Sequence, residues 1–218
     1  GAYTADAGFF SQLAAMHALG PYRIPNALAE AHLVYTNHQP SGSVRAPTAP
    51  QTCWALESHT DEVAAAIGMD PVAFRKLNAV DSGAEGPSGQ TYGEIGVQQC
   101  IDAATAAAGY GQVLPDDEAI GVAIGWWPSF SVPSGAYVKI DGDGSGQIIT
   151  GAQECGTGAV MTLRQLAADE LGMPAERFEL VYQDTSVAPY DMGATGSQTL
   201  FNNGRAGVAA RMRVSCRR

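Results

Sequence analysis

The stretch from Thr150 to Ala159, TGAQECGTGA, places three glycines between an apolar run and an amphipathic segment. The preceding GQIIT predicts a β-strand, and the following VMTLRQLAADELG predicts an amphipathic helix. A glycine-bearing turn between a strand and a helix leaves backbone N–H groups unpaired at the helix start, where they favour an anion. The pattern therefore predicts a strand–loop–helix unit and raises the question of which anion the loop holds.

Composition narrows the kind of protein that surrounds this unit. The 218 residues carry 22 acidic and 12 basic side chains, a formal net charge of −10. A surface this acidic repels phosphate backbones, so nucleic acid and anionic membranes are poor partners. No apolar run approaches the roughly 20 residues that span a bilayer, and no signal-peptide pattern is visible. We expect a cytoplasmic protein.

The four cysteines argue against a cluster held by this chain. Cys53, Cys100, Cys155 and Cys216 form no CxxC pair, so an iron–sulfur or zinc-ribbon site is not predicted. Buried free thiols in a reducing compartment are the favoured interpretation. The chain starts and stops within segments that look continuous, so we expect an internal fragment of a longer polypeptide.

Periodicity and turn residues predict alternating helices and strands without a steady βαβ rhythm. The fold class expected is therefore α+β, or mixed α/β, in two subdomains. The loop DSGAEGPSGQTYG is the predicted boundary, giving domains at 1–83 and 84–218. The predicted helices cover 51–68, 70–80, 97–109, 160–172 and a final segment from about Phe201. The predicted strands cover 30–37, 119–127, 135–140, 146–150 and 178–184.

The first long helix carries more detailed expectations. Its core-facing candidates are Ala55, Leu56, Val63 and Ile67, and a C′ glycine follows at Gly68. Glu57 and Asp61 are expected on its solvated face or in local capping. The next helix should begin with Asp70 as the N-cap and Pro71 at the first helical position.

Several familiar sites fail on their spacing. DGDGSG at Asp141–Gly146 lacks the twelfth-position Glu of a calcium loop, so a hairpin turn is preferred. Thr157 stands where a Walker loop needs Lys, and no GxGxxG is present. The histidines are scattered, so no metal held by protein side chains is predicted. Cys155 beside two glycines is a candidate nucleophile, but no histidine lies near it in sequence, and this is the less favoured interpretation.

Segments in a fixed order resemble one family, the molybdenum hydroxylases of the xanthine dehydrogenase/aldehyde oxidase group, in their molybdopterin-binding large subunit. The matching stretches cover nearly the whole chain, and their order makes the resemblance specific although each alone is weak. They are GPYRIPN, VYTNHQPSGSVRAPTAPQTCWALE, DEVAAAIGMDPVAFRKLN, SFSVPSGAYVKIDGDGSGQIITGAQECGTG and QLAADELGMPAERFELVYQDTSVAPYDMGATGSQT.

The resemblance implies a buried molybdopterin, in bacteria often the cytosine dinucleotide form, held mainly by backbone amides of several glycine-rich loops. It also implies 2Fe-2S centres and FAD on partner chains or on the remaining part of the large subunit, and a small-molecule substrate. The cofactor-binding residues implied by matching are Arg45, Gly156, Thr157, Gly158, Thr195, Gly196, Ser197 and Gln198. Substrate-facing positions fall at Pro47, Phe130 and Ser131.

The chain departs from the family pattern at several positions. The usual loop after the arginine is Gly-Phe-Gly or Gly-Ala-Gly, whereas this chain has Ala46-Pro47-Thr48. Leu13 stands where xanthine-oxidising members carry a second arginine, which makes purine oxidation doubtful. Thr157 replaces the common Gln. The family's catalytic glutamate lies in a segment that this chain does not contain, so no catalytic residue is assigned.

Two functions are therefore expected from the sequence. The first is part of a molybdenum-dependent oxidoreductase that hydroxylates an aldehyde or N-heterocycle with water as the oxygen source. The second is a non-catalytic fragment or remnant that folds without cofactor and acts as a structural or interaction domain. Simpler interpretations also exist for the site residues. Arg45 is then a surface charge, the glycines form a plain turn, and Ser197 is an N-cap.

Overall fold

The computed structural model describes residues 1–3, 7–40, 42–128, 132–182 and 184–211, with side chains described as far as residue 208. Two compact units divide between Trp127 and Pro128. The first unit contains helices α1 (Ala7–His17), α2 (Ala49–Ala66), α3 (Pro71–Asn78) and α4 (Val97–Ala108). The second contains strands β1 (Ala136–Ile140), β2 (Gly146–Thr150) and β3 (Phe178–Tyr182), with helices α5 (Ala159–Leu171) and α6 (Thr199–Arg211) and a 3₁₀ turn at Ala175–Arg177.

The α+β class is confirmed by these elements. The compact units divide well beyond the predicted boundary loop, because α4 packs on α3 and so stays in the first unit. The assignment of 1–83 and 84–218 to two domains stays a prediction. Within the described residues, no helix is long and apolar enough to cross a membrane.

A buried carboxylate organises the first unit. Glu57 on α2 is 4% exposed, and its Oε1 accepts a hydrogen bond from the Tyr22 hydroxyl at 2.6 Å. Its Oε2 accepts from Arg75 Nε at 2.8 Å and from the backbone N–H of Ile124 at 2.9 Å. Arg75 also donates to Asp61 Oδ1 at 2.6 Å. The network therefore ties α2 to α3 and to two connecting segments.

This network corrects the predicted orientation of α2. The buried positions are Glu57, Thr60 and Ala64, whereas Ala55 is exposed and Ile67 is 58% exposed. Glu57 therefore does not belong to a solvated face. The helix turns its polar Glu57 inward because Arg75 and Tyr22 satisfy the carboxylate, and burial together with the Glu57 bond raises the pKa of Tyr22.

Helix α3 begins as predicted. Asp70 is its N-cap, and the carboxylate accepts the N–H of Ala73 at 2.8 Å. The same side chain accepts the hydroxyl of Tyr110, which lies beyond the end of α4, at 2.8 Å. The Ala73 bond and then the Tyr110 bond lower the pKa of Asp70. The local cap thus also connects α3 to the segment after α4.

Two predicted strands are wrong. Residues 30–37 form no strand, and Leu33, Val34 and Tyr35 are 49%, 66% and 72% exposed, because no described strand lies alongside them. Residues 119–127 also form no strand. Their backbone is held by side chains of α2 instead, since Ile124 N–H binds Glu57 and Ile124 C=O lies 3.6 Å from the Cys53 thiol.

The second unit is a three-stranded sheet in the order β1-β2-β3. Strands β1 and β2 form the predicted hairpin, in which Asp143 Oδ1 accepts both the N–H and the hydroxyl of Ser145. Strand β3 pairs parallel to β2, so β2, α5 and β3 form a βαβ unit. The core between sheet and α5 contains Ile148, Phe178, Ala167 and Ala168.

Helix α6 also contacts strand β1 of the sheet. It packs on α5, where Leu166 contacts the backbone of Gly204. Asn203 of α6 is fully buried, and its Oδ1 accepts the hydroxyl of Thr150 at 2.9 Å. A glycine-containing loop precedes each of α5 and α6. Because the two helices pack on each other, the end of each loop that enters a helix is held in place.

The Glu57–Arg75 pair generates a stability prediction. Arg75→Met leaves a charged Glu57 buried without its partner, and we expect the free energy of unfolding to fall by about 3–5 kcal/mol. Chemical denaturation followed by circular dichroism measures the change. The matched control is Arg23→Met, which removes the exposed ion pair with Asp81 and should cost about 1 kcal/mol or less. Equal losses in the two variants would contradict the role given to the buried pair.

Candidate cofactor-binding site

The loop that carries Arg45 is held in an unusual backbone conformation. Ala46 and Thr48 have φ angles of 57° and 66°, in the left-handed region that side-chain-bearing residues rarely adopt. Each such residue costs about 1–2 kcal/mol relative to the right-handed region. These are the two positions at which the family resemblance in the sequence places glycine. The loop keeps a glycine-type conformation without glycine, and Pro47 between them is half-buried.

The loop leads directly into α2. Thr48 is the N-cap of α2, yet its hydroxyl makes no capping bond to the helix. The hydroxyl instead lies 3.4 Å from Nδ1 of His17, a residue that the sequence analysis did not select. Arg45 is exposed and forms no ion pair with any described residue. Its guanidinium is thus free to meet an anionic ligand at a strained loop.

The strain predicts that replacing alanine by glycine changes the free energy of unfolding in opposite directions at two positions. Ala46→Gly should raise the free energy of unfolding by about 1 kcal/mol, because glycine adopts the left-handed conformation without a Cβ penalty. The control Ala104→Gly, at an exposed position within α4, should lower the same free energy by about 1 kcal/mol. Denaturant titrations of both variants check the pair. Destabilisation by Ala46→Gly would contradict the proposed strain.

In the second unit, the loop between β2 and α5 already holds an anion, which is the carboxylate of its own Glu154. Glu154 Oε1 accepts the N–H groups of Gly156 at 2.7 Å and Gly158 at 3.1 Å. Oε2 accepts the N–H of Val160 at 3.3 Å, and the Thr157 hydroxyl lies 3.4 Å from Oε1. The carboxylate therefore takes the place of an external ligand at the start of α5.

The local backbone makes this arrangement possible. Gly156 and Gly158 have φ angles of 91° and 74°, which turn successive N–H groups towards one point. Burial of Glu154 works against its ionised form, but the bonds from Gly158, Val160 and Gly156 outweigh it and lower the pKa of the carboxyl. A carboxylate at a helix N-terminus is also favoured by the helix dipole. The sequence signal for Glu154 was an acidic residue two positions before the glycine turn.

A pH experiment tests the Glu154 contacts. Because the folded-state pKa is lowered, the stabilisation is present above the unfolded pKa of about 4.3 and is lost as pH falls through the lower folded value. We expect the difference in unfolding free energy between the native chain and Glu154→Gln to be largest near pH 7 and to shrink below about pH 5.

The measurement is a series of urea titrations between pH 7 and pH 3. Glu176→Gln removes an exposed carboxylate of the same unit and serves as the control, with no comparable loss at neutral pH. A pH-independent difference for Glu154→Gln would show that its carboxylate does not stabilise the loop.

The loop before α6 is built on buried amides. Gln198 is 1% exposed; its Nε2 donates to the carbonyl of Gly193 at 2.7 Å and its Oε1 accepts from Asn202 at 2.8 Å. Asp191 accepts the N–H of Gly193 at 2.7 Å and the side-chain amide of Asn203 at 2.8 Å. Gln198 thus holds the loop from inside.

The outer face of the same loop has a different character. Thr195 and Ser197 are exposed, and their hydroxyls make no hydrogen bond to the described residues. Gly196 and Ser197 have φ angles of 58° and 59°. Ser197 lies two residues before Thr199, where α6 begins. These two hydroxyls are the polar groups that the loop presents outward.

The two loops of the second unit adjoin at their bases. A Cβ on Gly151 would lie 2.5 Å from the carbonyl oxygen of Pro189 and 2.8 Å from Cβ of Asp191, so this close approach requires glycine. A Cβ on Gly193 would lie 3.5 Å from the side chain of Gln153. The structure therefore places residues 151–153 next to residues 189–193, at the bases of the two loops.

The other predicted positions are distributed as follows. Arg45 and Pro47 belong to the first unit, and the glycine loops belong to the second. Phe130 and Ser131, with Cys216, lie outside the described residues. The exposed Cys155 has no described histidine partner. No group of three metal-binding side chains occurs within the part of the chain that is described.

Comparison with known proteins gives these features a family. Two family models, each described as a molybdopterin cofactor-binding domain, match residues 1–79 and 100–217. A putative xanthine dehydrogenase molybdenum-binding subunit of Escherichia coli is 30% identical over 182 residues, covering 77% of this chain and 24% of the relative. The aldehyde oxidoreductase of Megalodesulfovibrio gigas is 28% identical over 208 residues, covering 89% of this chain and 22% of that protein.

Solved structures agree in fold. The aldehyde oxidoreductase from Desulfovibrio gigas superposes with a TM-score of 0.83 at 25% identity, over 97% of this chain and 25% of that one. Quinoline 2-oxidoreductase from Pseudomonas putida 86 gives 0.77 at 26% identity, over 94% of this chain and 30% of that one. The chain thus shares its α+β fold with a region of these oxidoreductases.

More particularly, the chain belongs to the molybdopterin cofactor-binding family of the xanthine dehydrogenase and aldehyde oxidoreductase molybdenum-binding subunits. This confirms the resemblance found in the sequence. The chain spans about a quarter of the length of the curated relatives it matches.

The described residues fit an anionic, phosphate-bearing cofactor in part. In the first unit, Arg45 has no ion-pair partner among the described residues. In the second unit, the hydroxyls of Thr195 and Ser197 make no hydrogen bond to a described residue. Nothing lies within 4 Å of a Cβ placed on Gly156 or Gly158, so the outer side of that turn is open. The N–H groups of the turn, however, are committed to Glu154. Within the second unit, the amides of this turn are available to a ligand only where Glu154 releases them.

Proposed function

We propose that this chain supplies cofactor-binding loops to a molybdenum-dependent oxidoreductase that hydroxylates an aldehyde or an N-heterocycle with water. One combined observation carries the proposal. Two glycine-turn loops of the second unit are neighbours, and the family model for a molybdopterin cofactor-binding domain matches the same residues. Relatives named aldehyde oxidoreductase and nicotinate dehydrogenase support these two substrate classes. Residues 1–83 would then be the C-terminal part of the first molybdopterin-binding domain, and residues 84–218 the incomplete N-terminal part of the second.

The described side chains would share the work of binding. Arg45 would pair with a cofactor phosphate. Thr195 and Ser197 would donate hydroxyl hydrogen bonds to polar groups of the cofactor that the second unit meets. Gly156, Thr157 and Gly158 would border the cofactor through their open outer face. Gln198, whose amide is satisfied internally, would hold the loop shape and not the ligand. Molybdopterin, when bound, supplies the redox and oxygen-transfer chemistry of the reaction.

The remaining parts of the enzyme are proposed from the family. A glutamate outside this chain would remove the proton, and Pro47, Phe130 and Ser131 would face the substrate. 2Fe-2S centres and FAD on partner subunits or elsewhere in the large subunit would carry electrons away, and the cofactor would be molybdopterin or its cytosine dinucleotide form. A relative named as the gamma subunit of a dehydrogenase complex supports partner subunits.

A second candidate is favoured by one observation, the commitment of the loop amides to Glu154. A chain that satisfies these groups internally is stable as a cofactor-free structural or interaction domain. The two candidates differ in whether the chain retains a pterin.

The discriminating experiment measures bound cofactor on the 218-residue chain purified from a host that makes molybdopterin. Molybdenum by mass spectrometry and the pterin by fluorescence after oxidation should each approach one per chain. Arg45→Ala should lower retention about tenfold or more, since a charge-assisted bond to phosphate contributes about 1.5–3 kcal/mol. The control is Arg23→Ala, which removes an arginine already paired with Asp81.

The outcomes separate the candidates. Neither metal nor pterin on any variant would support the cofactor-free domain, and equal retention by the two arginine variants would remove Arg45 from the site. We also expect the isolated chain to show no turnover of aldehydes or N-heterocycles, because the proton-removing glutamate lies outside it. Turnover would contradict that assignment.

A further inference from the structure

His17 is buried in a place where the proposed function gives it no role. It is the last residue of α1 and is 3% exposed. Its ring lies against two indoles, with centroids 5.2 Å from Trp126 in an edge-on arrangement and 5.2 Å from Trp127 in a tilted one. Two aromatic contacts on one small ring fix its position, so its polar atoms point in defined directions.

The polar contact of His17 leads to the Arg45 loop. Nδ1 lies 3.4 Å from the hydroxyl of Thr48, while Nε2 has no hydrogen-bond partner among the described residues. Burial lowers the pKa of His17, so the ring is neutral at physiological pH. The contact with the Thr48 hydroxyl is then a hydrogen bond between two neutral groups. The described contacts thus give His17 one polar partner, and that partner is a loop residue.

Thr48 is the residue at which the loop is most constrained. Its φ of 66° is unfavourable, and its hydroxyl is turned to His17 although an N-cap threonine ordinarily bonds an N–H of its own helix. Its carbonyl accepts the N–H of Thr52 at 3.0 Å and the Thr52 hydroxyl at 2.9 Å. The helix holds the carbonyl side of Thr48, and His17 holds the side chain.

We infer that His17 is a positioning residue that, through Thr48, fixes the strained loop and thereby the place at which Arg45 is presented. A strained left-handed residue persists only where its surroundings over-determine it. The His17–Thr48 contact holds Thr48 in this conformation. The rings of Trp126 and Trp127 hold the imidazole in place. The presentation of Arg45 to a cofactor phosphate rests on the proposed function; the fixing of the loop does not.

The competing explanation is a plain core histidine that only fills space between the indoles. Paired variants separate the two explanations. Asparagine places an amide group near the position of Nδ1 and glutamine places it near Nε2, so His17→Asn and His17→Gln lose the ring equally but differ in reach to Thr48. Thr48→Ser keeps the hydroxyl, and Thr48→Val removes it while keeping a β-branched side chain.

The experiment follows loop opening in the 218-residue chain without cofactor. Hydrogen exchange of the Ala49 N–H, which donates to the carbonyl of Ala46 at 3.2 Å, measures opening directly. Tryptic cleavage of the Arg45–Ala46 bond measures it independently, with the Arg23–Ile24 bond as the internal reference. We expect Thr48→Val and His17→Gln to increase both rates about threefold to tenfold, the factor that one ordinary hydrogen bond contributes. Thr48→Ser and His17→Asn should stay within about twofold of the native chain.

Several results would overturn the inference. Equal opening in His17→Asn and His17→Gln would assign His17 to packing alone, and unchanged rates in Thr48→Val would remove the contact from the loop. Should both His17 variants unfold, the Thr48 pair decides, because it leaves the aromatic cluster intact. Cofactor retention is scored separately. A loosened loop with full retention would count against Arg45 in the site and leave the positioning role standing.

Discussion

The buried carboxylate of Glu57 is the constraint on which the first unit depends. It accepts the Tyr22 hydroxyl, the Arg75 guanidinium and the backbone N–H of Ile124. A charge in that position is tolerable only while these donors remain. The position of α2, the helix that the Arg45 loop enters, depends on keeping this one group satisfied.

The second unit is held by a different set of polar side chains. Thr150 at the end of β2, Asn203 of α6 and Asp191 of the loop between β3 and α6 form a chain of hydrogen bonds. Gln198 and Asn202 continue it under the loop. Such networks define one arrangement because each member left alone would be an unpaired buried polar group. Both loops consequently adjoin through rigid bases, while their outer faces stay open.

Local rules predicted the parts of this fold that depend on adjacent residues. The Asp70 cap, the β1–β2 hairpin and the five helices beginning with α2 follow from turn chemistry and periodicity. The predicted strands at 30–37 and 119–127 failed because a strand needs a neighbour, and apolar sequence alone does not supply one. The burial of Glu57 was missed because its partner Arg75 lies on a different helix.

For the candidate site, too, local sequence predicted some features and missed those that depend on distant residues. Glycine turns and the family resemblance located the loops, and the structure brings the bases of the two loops of the second unit together. Which atoms of those loops are available could not be predicted, because the answer lies in side chains that fold back on the backbone. Gln198 and Glu154 both do so. No sequence pattern indicated a role for His17, because its contacts come from residues that are far away in sequence.

The internal Glu154 contact changes what the α5 loop selects for. A carboxylate on the same chain acts as if it were present at millimolar concentration or above, by the logic of tethered ligands. A solitary phosphate ion at micromolar levels does not displace such a competitor. A large molecule already anchored at other points would compete with Glu154 at a similar effective concentration. Under the proposed function, the turn would therefore discriminate by size and multiplicity of attachment as well as by charge.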